Sequence, residues 1–107
     1  MSYNVVITDT AKQDLREISV WIAEQSGNIE TAKNFIIELK KSIDKLRIFP
    51  NSGSLPKDRI LISAGLRFIV HKNYLIFYNI DESAKAVYIM AVFSSDKDYM
   101  RVMHGFV

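Results

Sequence analysis

Ile62-Ser63-Ala64-Gly65-Leu66-Arg67-Phe68-Ile69-Val70, then Tyr74-Leu75-Ile76-Phe77-Tyr78-Asn79-Ile80-Asp81, then Ala86-Val87-Tyr88-Ile89-Met90-Ala91-Val92-Phe93 decide how this chain folds. All three runs are rich in β-branched and aromatic residues, which suit a pleated, half-buried surface. Short polar joints separate them. His71-Lys72-Asn73 and Glu82-Ser83-Ala84-Lys85 both suit hairpin turns. Three strands in succession are therefore expected, with a charged segment ending in Tyr99 after the last. A small sheet with Arg67 near one end and a phenol near another can hold an anionic ligand.

Working back toward the N-terminus, the loop Asn51 to Asp58 contains Pro, Gly and Ser and ends in Lys57-Asp58-Arg59. Before it, Ala32, Phe35, Ile36, Leu39, Ile43 and Leu46 recur at helical spacing, with Lys40, Lys41, Asp44 and Lys45 mostly off that stripe. Phe49-Pro50 closes this helix, because Pro disfavours α conformation in the residue before it. Asn28 is a good cap for its start, and Gly27 a natural stop for the helix before. That earlier helix carries Ala11, Leu15, Ile18 and Ile22, with Asp9 or Thr10 as its cap and Thr10 with Gln13 as a capping box. Val5-Val6-Ile7 reads as a first strand. The expected order is β-α-α-β-β-β over one domain, residues 1–107: an α+β fold in which a helical hairpin packs on one face of a small, mainly antiparallel four-stranded sheet. Between Asp96 and Met103 either a short C-terminal helix or an extended tail follows.

Composition narrows the function. The chain has 107 residues, no cysteine and two histidines, which excludes a disulfide frame and a thiolate metal site. No metal and no cofactor is expected. Apolar content of 49% and charged content of 24% are those of an ordinary globule. The net charge of +2 permits a polyanionic partner without demanding one. No apolar run is long enough for a membrane span, and no cationic stretch precedes an apolar one at the N-terminus, so the cytoplasm is the expected compartment.

This order of elements, with Phe49-Pro50 closing the second helix, Ser63-Ala64-Gly65-Leu66-Arg67 opening the sheet, Asn73-Tyr74-Leu75-Ile76-Phe77-Tyr78 in the third strand, and Val92-Phe93 followed by Lys97-Asp98-Tyr99, resembles the RelE/ParE superfamily of bacterial toxins, the toxic halves of type II toxin–antitoxin pairs. The resemblance covers nearly the whole chain. It implies growth inhibition by one of two routes. RelE-like members enter the ribosomal A site and cut mRNA without metal, the substrate's 2′-hydroxyl attacking the phosphate. ParE-like members poison DNA gyrase by protein contact. The expected activity is translation arrest by ribosome-dependent mRNA cleavage, with gyrase inhibition as the alternative.

On the nuclease reading, the resemblance makes Arg67 the phosphate-binding arginine, whose planar fork can steady a charged transition state. It makes Tyr99 the terminal tyrosine beside the reacting nucleotide. Lys57 and Arg59 stand one residue away from the family's loop cations and are candidates to replace them. Lys97 stands where relatives carry arginine, but Asp96 and Asp98 flank it, the largest departure from the pattern. The plainer readings are a surface arginine paired with a carboxylate, a tyrosine closing the end of the sheet, and solvated loop charges. His104 and His71 are weaker candidates, as a tail residue and a turn residue. The resemblance also implies a small acidic antitoxin with an amphipathic segment that folds on binding. Trp21, Ile29 and Ile37 fall outside the inner helical stripes and are candidates for its docking surface.

Overall fold

The computed structural model describes residues 2–97, 103 and 105. The expected strand-helix-helix-strand-strand-strand order is present, with one short helix added. Strand β1 (Asn4–Ile7) leads into α1 (Asp9–Ser26) and α2 (Ile29–Asp44), two 3-10 turns at Lys45–Arg47 and Pro50–Ser52, the short α3 (Arg59–Ser63), and then β2 (Leu66–His71), β3 (Tyr74–Asp81) and β4 (Ala86–Ser94). The sheet order is β1-β4-β3-β2. β2 and β3 pair antiparallel, as do β3 and β4, while β1 lies parallel to β4 at the opposite edge from β2.

Local chemistry explains the boundaries. The cap of α1 is Thr8, one residue before the expected Asp9 or Thr10, and its side chain accepts from Ala11 N. Thr8 wins because its hydroxyl also donates to the Ile89 carbonyl at 2.7 Å, which ties the helix start to β4. Gly27, at φ 66°, ends α1 in the left-handed conformation, and the Asn28 side chain caps α2 through Glu30 N and Thr31 N. Two corrections concern the stretch before the sheet. Ile62 and Ser63 belong to α3, not to a strand, and β2 begins at Leu66. The apolar Ile60-Leu61-Ile62 run is helical because the Asp58 carboxylate caps it, accepting from Ile60 N at 2.8 Å and Leu61 N at 3.3 Å.

Helices α1 and α2 cover one face of the sheet. Ala11, Leu15, Ile18, Leu39, Ile43 and Leu46 meet Tyr74, Ile76, Tyr78, Val87, Ile89 and Val92 in the main core. The other face carries a smaller core of Leu66, Leu75, Phe77, Ala91 and Phe93, covered by Leu61 and Met103. Helices on one face alone would have left this side open. A register shift between Phe77 and Tyr78 skips Met90, so Ile89 and Val92 face the helices while Ala91 and Phe93 face away. The expected C-terminal helix or tail falls mostly on residues outside the described set.

Candidate functional site

Arg67 sits on the edge strand β2, opposite Tyr78. Its guanidinium NH1 donates to the Gly53 carbonyl at 3.0 Å and reaches the Asn51 carbonyl at 3.5 Å. Tyr78 is fully buried beneath the same loop, donates its hydroxyl to the Pro50 carbonyl at 2.7 Å and accepts from Gly53 N at 3.0 Å. Burial pushes the Tyr78 phenol above its ordinary pKa, with the Gly53 hydrogen bond and the Arg67 charge opposing. Ser54 then bridges the outer edge of Phe68 through two backbone hydrogen bonds of 2.8 and 3.0 Å. Gly53 is required by close approach: a Cβ there would lie 2.8 Å from the Phe68 carbonyl oxygen and against the Tyr78 hydroxyl. Arg67 thus pins the Asn51–Gly53 loop, and among the described residues no carboxylate stands within ion-pair distance of it.

The other sequence candidates do not all gather around Arg67. Lys57 is exposed just before the α3 cap, and Arg59 is exposed as the first residue of α3. Tyr99 and His104 lie outside the described residues. Lys97 is at the far end of β4: Ser94 pairs with Tyr74 and Arg67 with Tyr78, positions about 13 Å apart along β3 at the usual strand rise.

Lys97 lines a hollow of about 460 Å³ between α1 and the end of the sheet, together with Asp14, Glu17, Trp21, Tyr74 and Asp96. Asp14 is half-buried there and accepts from Val92 N at 2.9 Å through Oδ2. That bond satisfies a β4 N–H which the short β1 does not reach. Burial raises the pKa of Asp14 above that of an ordinary carboxyl, the Val92 hydrogen bond opposing. With three carboxylates around one lysine, the lining is net negative, which disfavours phosphate.

Ile29 and Ile37 lie elsewhere, on the opposite flank of α1. They line a groove of about 660 Å³ between the two helices, with Ile7, Leu15 and Ile36 on its floor and Lys12, Arg16, Lys33 and Lys40 on its rim. The three positions expected to form one docking surface therefore occupy two. The cationic rim was not recognised from sequence, although Lys12 with Arg16, and Lys33 with Lys40, stand four and seven residues apart, the helical spacing of one face.

His71 is a structural residue. Its Nδ1 is 2.9 Å from the Ser42 hydroxyl on α2, its ring meets Phe35 edge-on, and Nε2 is buried with no hydrogen-bond partner among the described residues. Burial lowers its pKa, and the Lys72 charge lowers it further. Among the described residues, no group of three or more His, Asp or Glu comes together to hold a metal ion, and no helix is long and apolar enough to cross a membrane.

Several solved structures share this fold. The chromosomal ParDE toxin–antitoxin system of P. aeruginosa matches with a TM-score of 0.73 at 15% identity, covering 89% of this chain and 98% of that one. The E. coli toxin RelE, as a mutant in the free state, matches with a TM-score of 0.66 at 13% identity, covering 95% and 93%. The RelBE2 toxin–antitoxin complex of Mycobacterium tuberculosis matches with a TM-score of 0.58 at 24% identity, covering 88% and 99%. No curated protein matches the chain. The sequence pattern of the family described as ParE toxin of type II toxin-antitoxin system, parDE, matches residues 5–99. With that match spanning most of its length, the chain belongs to the ParE toxin family, within the RelE/ParE superfamily of type II toxins.

Proposed function

We propose that this toxin arrests growth by gripping a protein target, DNA gyrase in the ParE mode, and not by cutting mRNA. The observation that carries this reading is the use of Arg67. Metal-free RNA cleavage needs cations converging on one phosphate, beside groups that can move protons. Here the sheet arginine is turned onto two loop carbonyls, and Lys97 stands away from it in a net-negative hollow. The family match, to a ParE toxin, supports the same side.

The test is induction of the chain alone in bacteria, with methionine and thymidine incorporation followed over the first minutes. Thymidine incorporation falls first on this reading, and the purified chain inhibits supercoiling by gyrase. Early loss of methionine incorporation, with new mRNA ends by primer extension, would overturn it. That outcome belongs to the second reading, ribosome-dependent cleavage, in which Arg67 and Tyr99 act on the phosphate with Lys57, Arg59 and Lys97. One observation favours it: among the described residues only NH1 of Arg67 is engaged, so the rest of the guanidinium fork can still meet an anion.

An antitoxin is the expected partner under either reading. Its amphipathic acidic segment fits the groove of Ile29 and Ile37, where apolar floor and cationic rim match both of its faces. Ile37→Asp weakens the complex by calorimetry, and unchanged affinity would remove Ile37 from the interface.

A further inference from the structure

We propose that the two flanks of α1 form one track of opposite charge for a single helical segment of the antitoxin, which crosses α1 with its acidic end in the α1–α2 groove and a basic side chain in the Trp21 hollow. This rests on the antitoxin reading above and adds a requirement to it: the segment must change sign as it crosses.

The argument is geometric. In an α-helix, successive residues turn by 100°, so the buried Ala11, Leu15 and Ile18 define the inner face and Val20 points directly away from it. Val20 is 58% exposed. Lys12 and Arg16 lie to one side of that outward line, and Asp14, Glu17 and Trp21 to the other. Apart from Asp9 at its first position, the charges on α1 are thus sorted by flank, and each flank is extended by its neighbours. Lys33 and Lys40 of α2 add to the basic side, while Asp96 adds to the acidic side, which stays net negative with Lys97 among its carboxylates. The groove takes α1 residues from Lys12 to Ser19, and the hollow takes them from Asp14 to Trp21, so the two stand at nearly the same level of the helix.

The apolar positions follow the same line. Ile29 and Ile37 on the groove side are 77% and 44% exposed, Val20 marks the crossing, and Trp21, at 54%, walls the hollow beyond. A half-exposed indole beside carboxylates suits a guanidinium, which can stack on the ring while its N–H groups reach the acids. Asp14 presents an oxygen for this, because among the described residues Oδ2 alone is taken, by Val92 N. Its raised pKa reflects burial and the neighbouring Glu17 charge, with the Val92 hydrogen bond and the Lys97 charge opposing. The flanks are about one helix diameter apart, roughly 10–12 Å, which two turns of a crossing helix span. The segment therefore carries glutamates and leucines in its first turns and an arginine about seven residues later.

The test uses the full chain and two synthetic helical peptides of about 18 residues, titrated by calorimetry. One has Glu and Leu followed by Arg in that order, and the other is identical except that Glu replaces the Arg. The Arg peptide binds at least about fivefold more tightly, the scale expected for a partly shielded charge pair on a ring. Glu17→Lys, at an exposed position, reverses that preference, and Lys33→Glu weakens both peptides. Circular dichroism and thermal melting of each variant confirm that it folds. Equal binding of the two peptides, a preference that survives Glu17→Lys, or no binding of either would overturn the track. None of these outcomes bears on whether gyrase or the ribosome is the target.

Discussion

Replacing Tyr78 with Phe should loosen the loop that Arg67 holds, and the size of the effect can be worked out. The substitution removes one oxygen from a fully buried ring. That oxygen makes two hydrogen bonds, at 2.7 Å to the Pro50 carbonyl and 3.0 Å from Gly53 N. Each is worth about 1 kcal/mol net, and a buried group left without a partner costs about 1–3 kcal/mol. Gly53 is only half-buried and can turn toward water, which places the total near 2 kcal/mol. For a chain of this size, that lowers the melting temperature by about 10 °C. The loss is local as well as global. The Gly53 N–H exchanges faster with solvent, and so does the Ser54 N–H, which donates to the Phe68 carbonyl at 2.8 Å. Thermal melting with amide exchange by NMR reads both. Gly53→Ala is destabilising by itself, since its Cβ meets the Tyr78 ring and the Phe68 carbonyl. Combined with Tyr78→Phe, it costs less than the sum, because the clash with the hydroxyl disappears. A melting shift below about 2 °C for Tyr78→Phe, with unchanged exchange at Gly53, would refute the claim that the phenol organises this loop.

Three further outcomes follow from the same structure. His71 has a lowered pKa when folded, so the unfolded chain binds its proton more readily; its contribution is complete above the ordinary value of about 6.5 and is lost as the pH falls below it. Urea midpoints at pH 7.5 and 5.5 should therefore differ more for the natural chain than for His71→Gln; an equal difference would remove His71 as the cause. Asp14→Asn keeps an oxygen to accept the Val92 N–H and removes a charge that burial disfavours, so near neutral pH it should stabilise slightly, by less than about 1 kcal/mol after solvent screening, as read by urea unfolding; destabilisation would show that the charge itself is needed. Gly27→Ala forces a Cβ into the left-handed region at φ 66°, with no atom of the described residues beyond its chain neighbours within 4 Å, so the cost in urea unfolding should be backbone strain alone, about 1 kcal/mol.

The helices and strands were legible where the periodicity was strong. Ala11, Leu15 and Ile18, and Ala32, Leu39 and Ile43, are buried as their spacing implied, and both hairpin joints stand between strands. Short-range competition hid the rest. Ile60-Leu61-Ile62 has the composition of a strand, and one capping carboxylate at Asp58 turns it into a helix. The parallel pairing of β1 with β4 is long-range and leaves no local mark in Val5-Val6-Ile7. The second core depends on a skipped residue at Met90, and apolar alternation read without that shift places Ala91 on the wrong face. At the candidate site, the sequence named Arg67 but not its partners. A backbone carbonyl fourteen residues away carries no side-chain signature, whereas a carboxylate partner would have had one.

Arg67 shows how one side chain can serve the fold and still leave donors for a ligand. An edge-strand arginine is useful to the fold before it is useful to any substrate, because it can hold the incoming loop by its carbonyls. The same fork has donors to spare, so a phosphate can be added without dismantling that contact, provided that other cations stand close by. In this chain, the loop candidates Lys57 and Arg59 are exposed around the α3 cap, and Lys97 sits among carboxylates. Among the described residues, positive charge gathers on the outer rim of the helical hairpin instead, beside exposed isoleucines. A cationic rim over an apolar floor recognises an acidic protein surface better than it stabilises a transition state, since it offers no enclosed point where charges converge. That rim serves the antitoxin under either reading, so the proposed gyrase mode rests on how Arg67 is used, turned onto the Asn51 and Gly53 carbonyls.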